Sequence, residues 1–159
     1  MGDVYKALEQ HSEAYMQYLQ SVSVHRQTSI DGISVNTADT LIYLGDIKSR
    51  MQQYDQAIEH HKEALSVYNK LSGEENNQGA AGALHHMAFN YKAMGQYSDA
   101  EDYYKQALAM RRELSQNGVS EGIARVLNNL GDNYKAIGQY SDAEDYYKQS
   151  LAMYRELSP

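Results

Sequence analysis

Two histidine doublets, His60-His61 and His85-His86, are the groups in this sequence best equipped to bind a metal or move a proton. Their spacing argues against both uses. Neighbouring residues on a helix point about 100° apart, so a doublet cannot chelate from one face as an i, i+4 pair can. The doublets read as packing or surface histidines, and no metal ion is expected. The chain has no cysteine, which excludes disulfides, thiolate ligands and a thiol nucleophile. It has no glycine-rich phosphate loop and no nucleophile elbow, so neither catalysis nor a cofactor is expected.

Recognition chemistry is better represented. Asn128 and Asn129 can each donate and accept, so either could pin a peptide backbone. The net charge is −7, from 14 basic and 21 acidic residues, which argues against nucleic acid or an anionic membrane as partner. No apolar run approaches the roughly 18 residues of a membrane helix, and there is no N-x-Ser/Thr sequon. A cytoplasmic setting is the expectation.

The elements that position these side chains come from repetition. Residues 87–114 and 130–157 lie 43 residues apart and are identical at 22 of 28 positions. The same step backwards lands on Leu44, opening LGDIKSRMQQYDQAIEHHKEAL, and then on Met1, opening MGDVYKALEQHSEAYMQYLQSV. Ser29, Ser72 and Ser115 open polar connectors in the same phase. Fifteen tyrosines against one phenylalanine and no tryptophan follow from this copying, since most tyrosines recur once or twice per unit.

Each unit reads as two helices. Ile123, Val126, Leu127, Leu130, Tyr134 and Ile137 recur at three and four, one face of a helix, until Gly138 breaks the pattern. Ser98-x-x-Glu101 and Ser141-x-x-Glu144 have the spacing of capping boxes. The last helix is expected to bury Ala143, Tyr147 and Leu151, with Tyr146, Ser150, Met153 and Leu157 as a neighbouring stripe. Gly131 and Ala143 would let paired backbones approach closely. In the first unit a stub to about Glu9 should precede a helix over 12–27.

These residues resemble the tetratricopeptide repeat, with its pattern L-G-x2-Y, then A-x3-F, then P. The last unit offers Leu127, Leu130-Gly131, Tyr134, Ala143 and Tyr147, and the third Leu84, Met87-Ala88, Tyr91, Ala100 and Tyr104. The second has Lys48 and His61 where aromatics are usual, and the first keeps Gly2, Tyr5, Ala14 and Tyr18. The closing proline is replaced by Arg26, Asn69, Arg112 and Arg155, so second helices can run on to about Leu114 and Leu157. That accounts for the long period, which is similar to kinesin-light-chain-like and nephrocystin-like repeats. The implied fold is all-α, a right-handed superhelical solenoid of antiparallel helix pairs. One domain over 1–159 would hold units 1–35, 36–78, 79–121 and 122–159. The first is truncated at its N-terminal side, and the whole is expected to be part of a longer array.

The resemblance implies a non-catalytic scaffold that holds a peptide or protein partner in a concave groove lined by first helices. The face opposite the core stripe supplies Ile42, Tyr43, Asp46 and Arg50, then His85, His86, Phe89 and Lys92, then Arg125, Asn128, Asn129, Asp132 and Lys135. Asp3, Lys6 and Asp39 belong to the same face. Phe89 takes a position where neighbouring units carry Asp, which suggests an apolar anchor. By the same resemblance Asn129 would be the residue that pins a ligand backbone. The mixture of Asp and Lys/Arg does not suit the carboxylate clamp of chaperone-binding members. The alternative is a structural or oligomerisation segment. It would self-associate weakly through uncapped ends, with Tyr103, Ala107, Met110 and Leu114 as the stripe that a following unit covers.

Overall fold

The computed structural model describes residues 2–28, 33–71, 74–115 and 118–158, with described side chains beginning at Gln10 in the first helix and Asn77 in the fourth. Seven helices and no strand occur among the described residues. They are α1 (Gly2–Thr28), α2 (Val35–Arg50), α3 (Tyr54–Lys70), α4 (Glu74–Ala93), α5 (Tyr97–Leu114), α6 (Glu121–Ala136) and α7 (Tyr140–Leu157). None of the described helices is long and apolar enough to cross a membrane. The chain divides into two compact units, 1–83 and 84–159, with the division inside α4.

One glycine decides where a helix pair forms. Gly95 and Gly138 adopt φ of +76° and +80°, the left-handed region that closes a helix without a Cβ clash. Behind them Gln96 and Gln139 donate their N–H groups to Tyr91 O and Tyr134 O, and a new helix begins at once. In the second repeat Gln52 is forced into the same conformation at φ +59°. In the first repeat the position is Glu9, a good helix former, and α1 runs straight through it. The expected stub and helix over 12–27 are therefore one 27-residue helix.

The helix starts also differ from the sequence reading. Ser98 and Ser141 are not caps: α5 and α7 start from Gln96 and Gln139 with no side-chain capping bond. The tight glycine turn leaves both serines already inside the first helical turn. The serine caps sit instead on first helices, where Ser34 Oγ accepts from Thr37 N and Ser120 Oγ accepts from Ile123 N, each at 3.1 Å. α4 begins within the expected polar connector, at Glu74.

In unit 1, Leu41 and Leu44 of α2 pack with Ala57, His61 and Ala64 of α3. In unit 2, Ile123, Val126, Leu127 and Leu130 of α6 are buried, as are Ala143 of α7 and Ala100, Tyr104 and Ala107 of α5. Ile137 is an exposed turn residue rather than part of that stripe. The second helices run to Leu114 and Leu157, as the missing proline allows.

The second helices keep the expected core phase at Ala143 and, in α5, at Ala100, Tyr104 and Leu108, but the stripe beside it is displaced. Leu151 is 50% exposed, while Ser150 is buried and donates to Ala124 O at 2.7 Å. Tyr103 and Tyr146 stack on Tyr91 and Tyr134, each in the preceding helix, with ring centroids 5.2 Å apart in both pairs. The face of α5 that receives α6 is therefore not Tyr103, Ala107, Met110 and Leu114 but Tyr97, Glu101, Leu108 and Arg111. Asn133 Nδ2 donates to Tyr97 O (2.9 Å), Tyr134 Oη donates to Glu101 (2.7 Å), and Gly122 lies against the Arg111 guanidinium. Ridge packing sets this rotation, because the bulky tyrosine of each Tyr-Tyr doublet stacks on its own partner helix.

Candidate functional site

In unit 2 the sequence-derived residues of α4 and α6 come together as two polar contacts beside one aromatic ring. Asn129 Nδ2 lies 2.6 Å from His85 Nε2. An amide nitrogen only donates, so in this contact the imidazole nitrogen is the acceptor. Further along the same two helices, Lys92 Nζ lies 3.4 Å from Asp132 Oδ2, and Tyr147 Oη of α7 donates to Asp132 Oδ1 at 2.7 Å. Phe89 stands between these contacts in sequence and is 49% exposed. Asn128 and Lys135 are exposed, and Arg125 is held by Glu121 at 3.2 Å within its own helix. His86 is half-buried, with its ring 5.8 Å from that of His85.

Repeat arithmetic explains what is unusual about Phe89. Asp132 is one step after Phe89 and Asp46 one step before it. In the fourth repeat Asp132 accepts from Tyr147, and in the second Asp46 Oδ1 lies 3.4 Å from His61 Nε2. Both rings lean on a glycine: a Cβ at Gly131 would lie 2.6 Å from Tyr147 Cε1, and one at Gly45 2.2 Å from His61 Nε2. The third repeat replaces Gly-Asp by Ala88-Phe89, which removes the acceptor. Its ring, Tyr104, is fully buried, and its hydroxyl has no hydrogen-bond partner among the described residues. Burial pushes the Tyr104 phenol well above its usual pKa, and the charge of Asp132 adds to that, so it stays a neutral donor. Burial and the bond to Asp132 likewise push Tyr147 up to about 12.

Tyr104 and Tyr147 are functional candidates that reading for a solvent-facing stripe assigns only to the core. The signal for them is present in the copies: an Asp missing at one repeat leaves a matching hydroxyl without its acceptor.

In unit 1 the expected residues form a separate patch on α2. Tyr43 is exposed and stacks on Tyr18 of α1 with centroids 5.4 Å apart. Ile42 is half-buried and Arg50 exposed. Lys48, in an aromatic slot, places Nζ 4.1 Å from the centre of the Tyr15 ring. Asp39 accepts a hydrogen bond from Tyr68. Asp3 and Lys6 lie outside the described side chains. A cleft of about 520 Å³, lined by Arg26, Thr37, Glu63 and Lys70 among others, contains none of the expected groove residues. Of the histidine doublets, His61 is fully buried and His60 accepts from or donates to Tyr15 Oη at 3.1 Å. They occupy the slots that Tyr103-Tyr104 and Tyr146-Tyr147 fill in later repeats.

Comparison with solved structures agrees with this architecture. The chain is similar to BtubC (BKLC) from P. vanneervenii, with a TM-score of 0.81 and 19% identity, over 94% of this chain and 58% of that one. It is similar to a Rap protein solved in complex with Competence and Sporulation Factor (TM-score 0.80, 19% identity, 97% of this chain and 40% of that one). A third neighbour is a putative kinesin light chain from Podosopora anserina with nearly identical TPR-like repeats (TM-score 0.74, 19% identity, 97% and 72%). This chain thus spans little more than half of the first of these and well under half of the Rap protein. No curated protein matches the sequence. The tetratricopeptide repeat profile matches residues 1–70, 36–113 and 79–156, and the chain belongs to that family.

Proposed function

We propose that this protein is a non-catalytic interaction scaffold, and that the α4/α6 face of unit 2 binds an extended segment of a partner protein. One observation carries the reading. Phe89 is a half-exposed aromatic in a slot that otherwise holds Asp, beside a buried Tyr104 hydroxyl that lacks the acceptor its repeats possess. A large apolar side chain exposed in a polar setting is the usual form of an interface anchor. Asn129 keeps its carbonyl oxygen and second amide hydrogen for a ligand backbone, since the contact to His85 uses one N–H. Lys92 and Asp132 flank the anchor with opposite charges, which suits a neutral, dipolar peptide backbone better than a uniformly charged tail. The Rap neighbour, solved with a bound factor, supports a binding role for the fold without locating it on this chain.

The test is an array of extended peptides probed with the full chain. Phe89→Ala combined with Asn129→Ala should weaken captured peptides by on the order of ten-fold or more while the melting temperature stays within a degree or two, because exposed residues contribute little to folding. Peptides held equally by both proteins would move the site off this face.

An assembly role is the second reading. It is favoured by the exposed apolar residues of α7, among them Tyr140, Leu151 and Tyr154.

A further inference from the structure

Where α5 meets α6, an arginine occupies a slot that the neighbouring repeats fill with a ring. Tyr68 lies one repeat step before Arg111 and Tyr154 one step after it. Tyr68 rests on Gly79, where a Cβ would lie 2.3 Å from the ring, and its hydroxyl donates to Asp39. Arg111 rests on the matching glycine, Gly122, with Nη1 2.2 Å from the position of a Cβ. The carboxylate is not copied with the slot, because the sequence has Gly82 one step after Asp39. No described residue gives Arg111 a hydrogen bond or an ion pair, and its Nε is buried without an acceptor.

The surroundings add positive charge instead of cancelling it. Arg125 follows Gly122 by three residues along α6, and the amino end of that helix carries partial positive charge. Burial, and then the charge of Arg125, hold the Arg111 pKa below its ordinary value, although a guanidinium keeps its proton at neutral pH. The carboxylate at hand, Glu121, is exposed and already bonded to Arg125 at 3.2 Å. Elsewhere in unit 2 cations meet carboxylates directly, as Lys92 does Asp132 and Lys148 does Glu144. A part-buried cation without a counter-charge is costly, and a bound anion removes that cost. Arg111 is half-buried, so an anion can reach it from solvent.

We infer that the α5/α6 joint is a binding site for a small oxyanion, held by the Arg111 guanidinium with Arg125 as the second cation. The chemistry recognised is two oxygens on one atom, as in phosphate or a carboxylate, because a guanidinium presents paired N–H donors in one plane. The site goes beyond the scaffold reading and uses neither Phe89 nor Asn129.

Sodium phosphate and sodium acetate, each titrated into the full chain at an ionic strength held constant with chloride, test it by nitrogen–proton correlation NMR. The Gly122 N–H signal should shift saturably with at least one of the two. If both saturate it the site takes any oxyanion, and if one does the site selects phosphate or carboxylate; either result supports the inference. Arg111→Tyr should weaken binding on the order of ten-fold or more, and Arg125→Gln by less. Glu121→Gln releases Arg125 and should tighten binding. Arg112→Gln removes the same charge from an exposed neighbour and should leave binding unchanged. Arg111→Tyr restores the residue of the neighbouring slots, so it should unfold in urea no earlier than the parent in chloride. Saturation by neither anion, or equal saturation of the parent and Arg111→Tyr, overturns the site.

Discussion

The third and fourth repeats are close copies, and they differ most instructively at two adjacent positions. Gly131-Asp132 gives Tyr147 a bare backbone to lean on and a carboxylate to bond, so the ring and hydroxyl are both satisfied from within. Ala88-Phe89 withdraws both, leaving Tyr104 buried with an unmet hydroxyl and Phe89 open to solvent. A buried donor without a partner costs about 1–3 kcal/mol relative to a bonded one. The comparison teaches that one repeat has kept its scaffold while giving up internal satisfaction for an exposed phenylalanine, the anchor proposed above.

The largest expected effect tests the glycine half of this contrast. Gly45→Ala would bring a methyl to 2.2 Å from His61 Nε2, and His61 is fully enclosed. Overpacking of roughly 1–3 kcal/mol follows, measured by urea denaturation. Gly131→Ala should cost less, because half-buried Tyr147 can swing towards solvent. Equal losses at the two sites would mean that ring burial does not set the penalty. Ala143→Leu, in a slot only 3% exposed, should likewise lose about 1–3 kcal/mol; an unchanged melting temperature would refute the packing phase of α7.

A smaller gain is expected at the turn that lacks its glycine. Gln52→Gly relieves a side chain held at φ +59° and should stabilise the protein by about 1 kcal/mol. No gain in chemical denaturation would show that the turn is not strained.

The smallest effect contrasts the histidine doublet of unit 1 with the tyrosine doublets of unit 2. Burial holds the His60 pKa below its ordinary 6.5, against the pull of Glu63. The folded state therefore binds this proton more weakly than the unfolded chain, so its stabilisation is complete above pH 6.5 and fades as pH falls through the lowered value. Hydrogen exchange at pH 7.5 and 5.5 should show α3 opening more readily at the lower pH, with α5 and α7 little changed. Identical protection at both values would contradict it.

The period and the length of the second helices were legible in the sequence, because 43-residue copying and the missing proline are local signals. The straight run of α1 through Glu9 was legible only by noticing that Gly95 and Gly138 have no counterpart there. The stripe beside the core was not. Ser150 looks like rim by hydropathy, yet with the Tyr146 ring stacked on Tyr134 the serine lies inside. Of the site, His85 with Asn129 and Lys92 with Asp132 were grouped on one face by spacing within each helix and by the resemblance that lines a groove with first helices. That Tyr104 belongs with them depends on a hydroxyl losing its acceptor, which the Asp missing at Phe89 hints at and the packed core makes plain.

Phe89→Asp is the most direct test of the central claim, since it restores the residue found at the same step in the second and fourth repeats. Tyr104 regains an acceptor, so the variant should be as stable as the parent or more stable by about 0.5–1.5 kcal/mol, while peptides captured by the parent are lost. Stability is read by urea denaturation and binding by anisotropy on the same samples. Retained binding, or a clear loss of stability, would contradict the account.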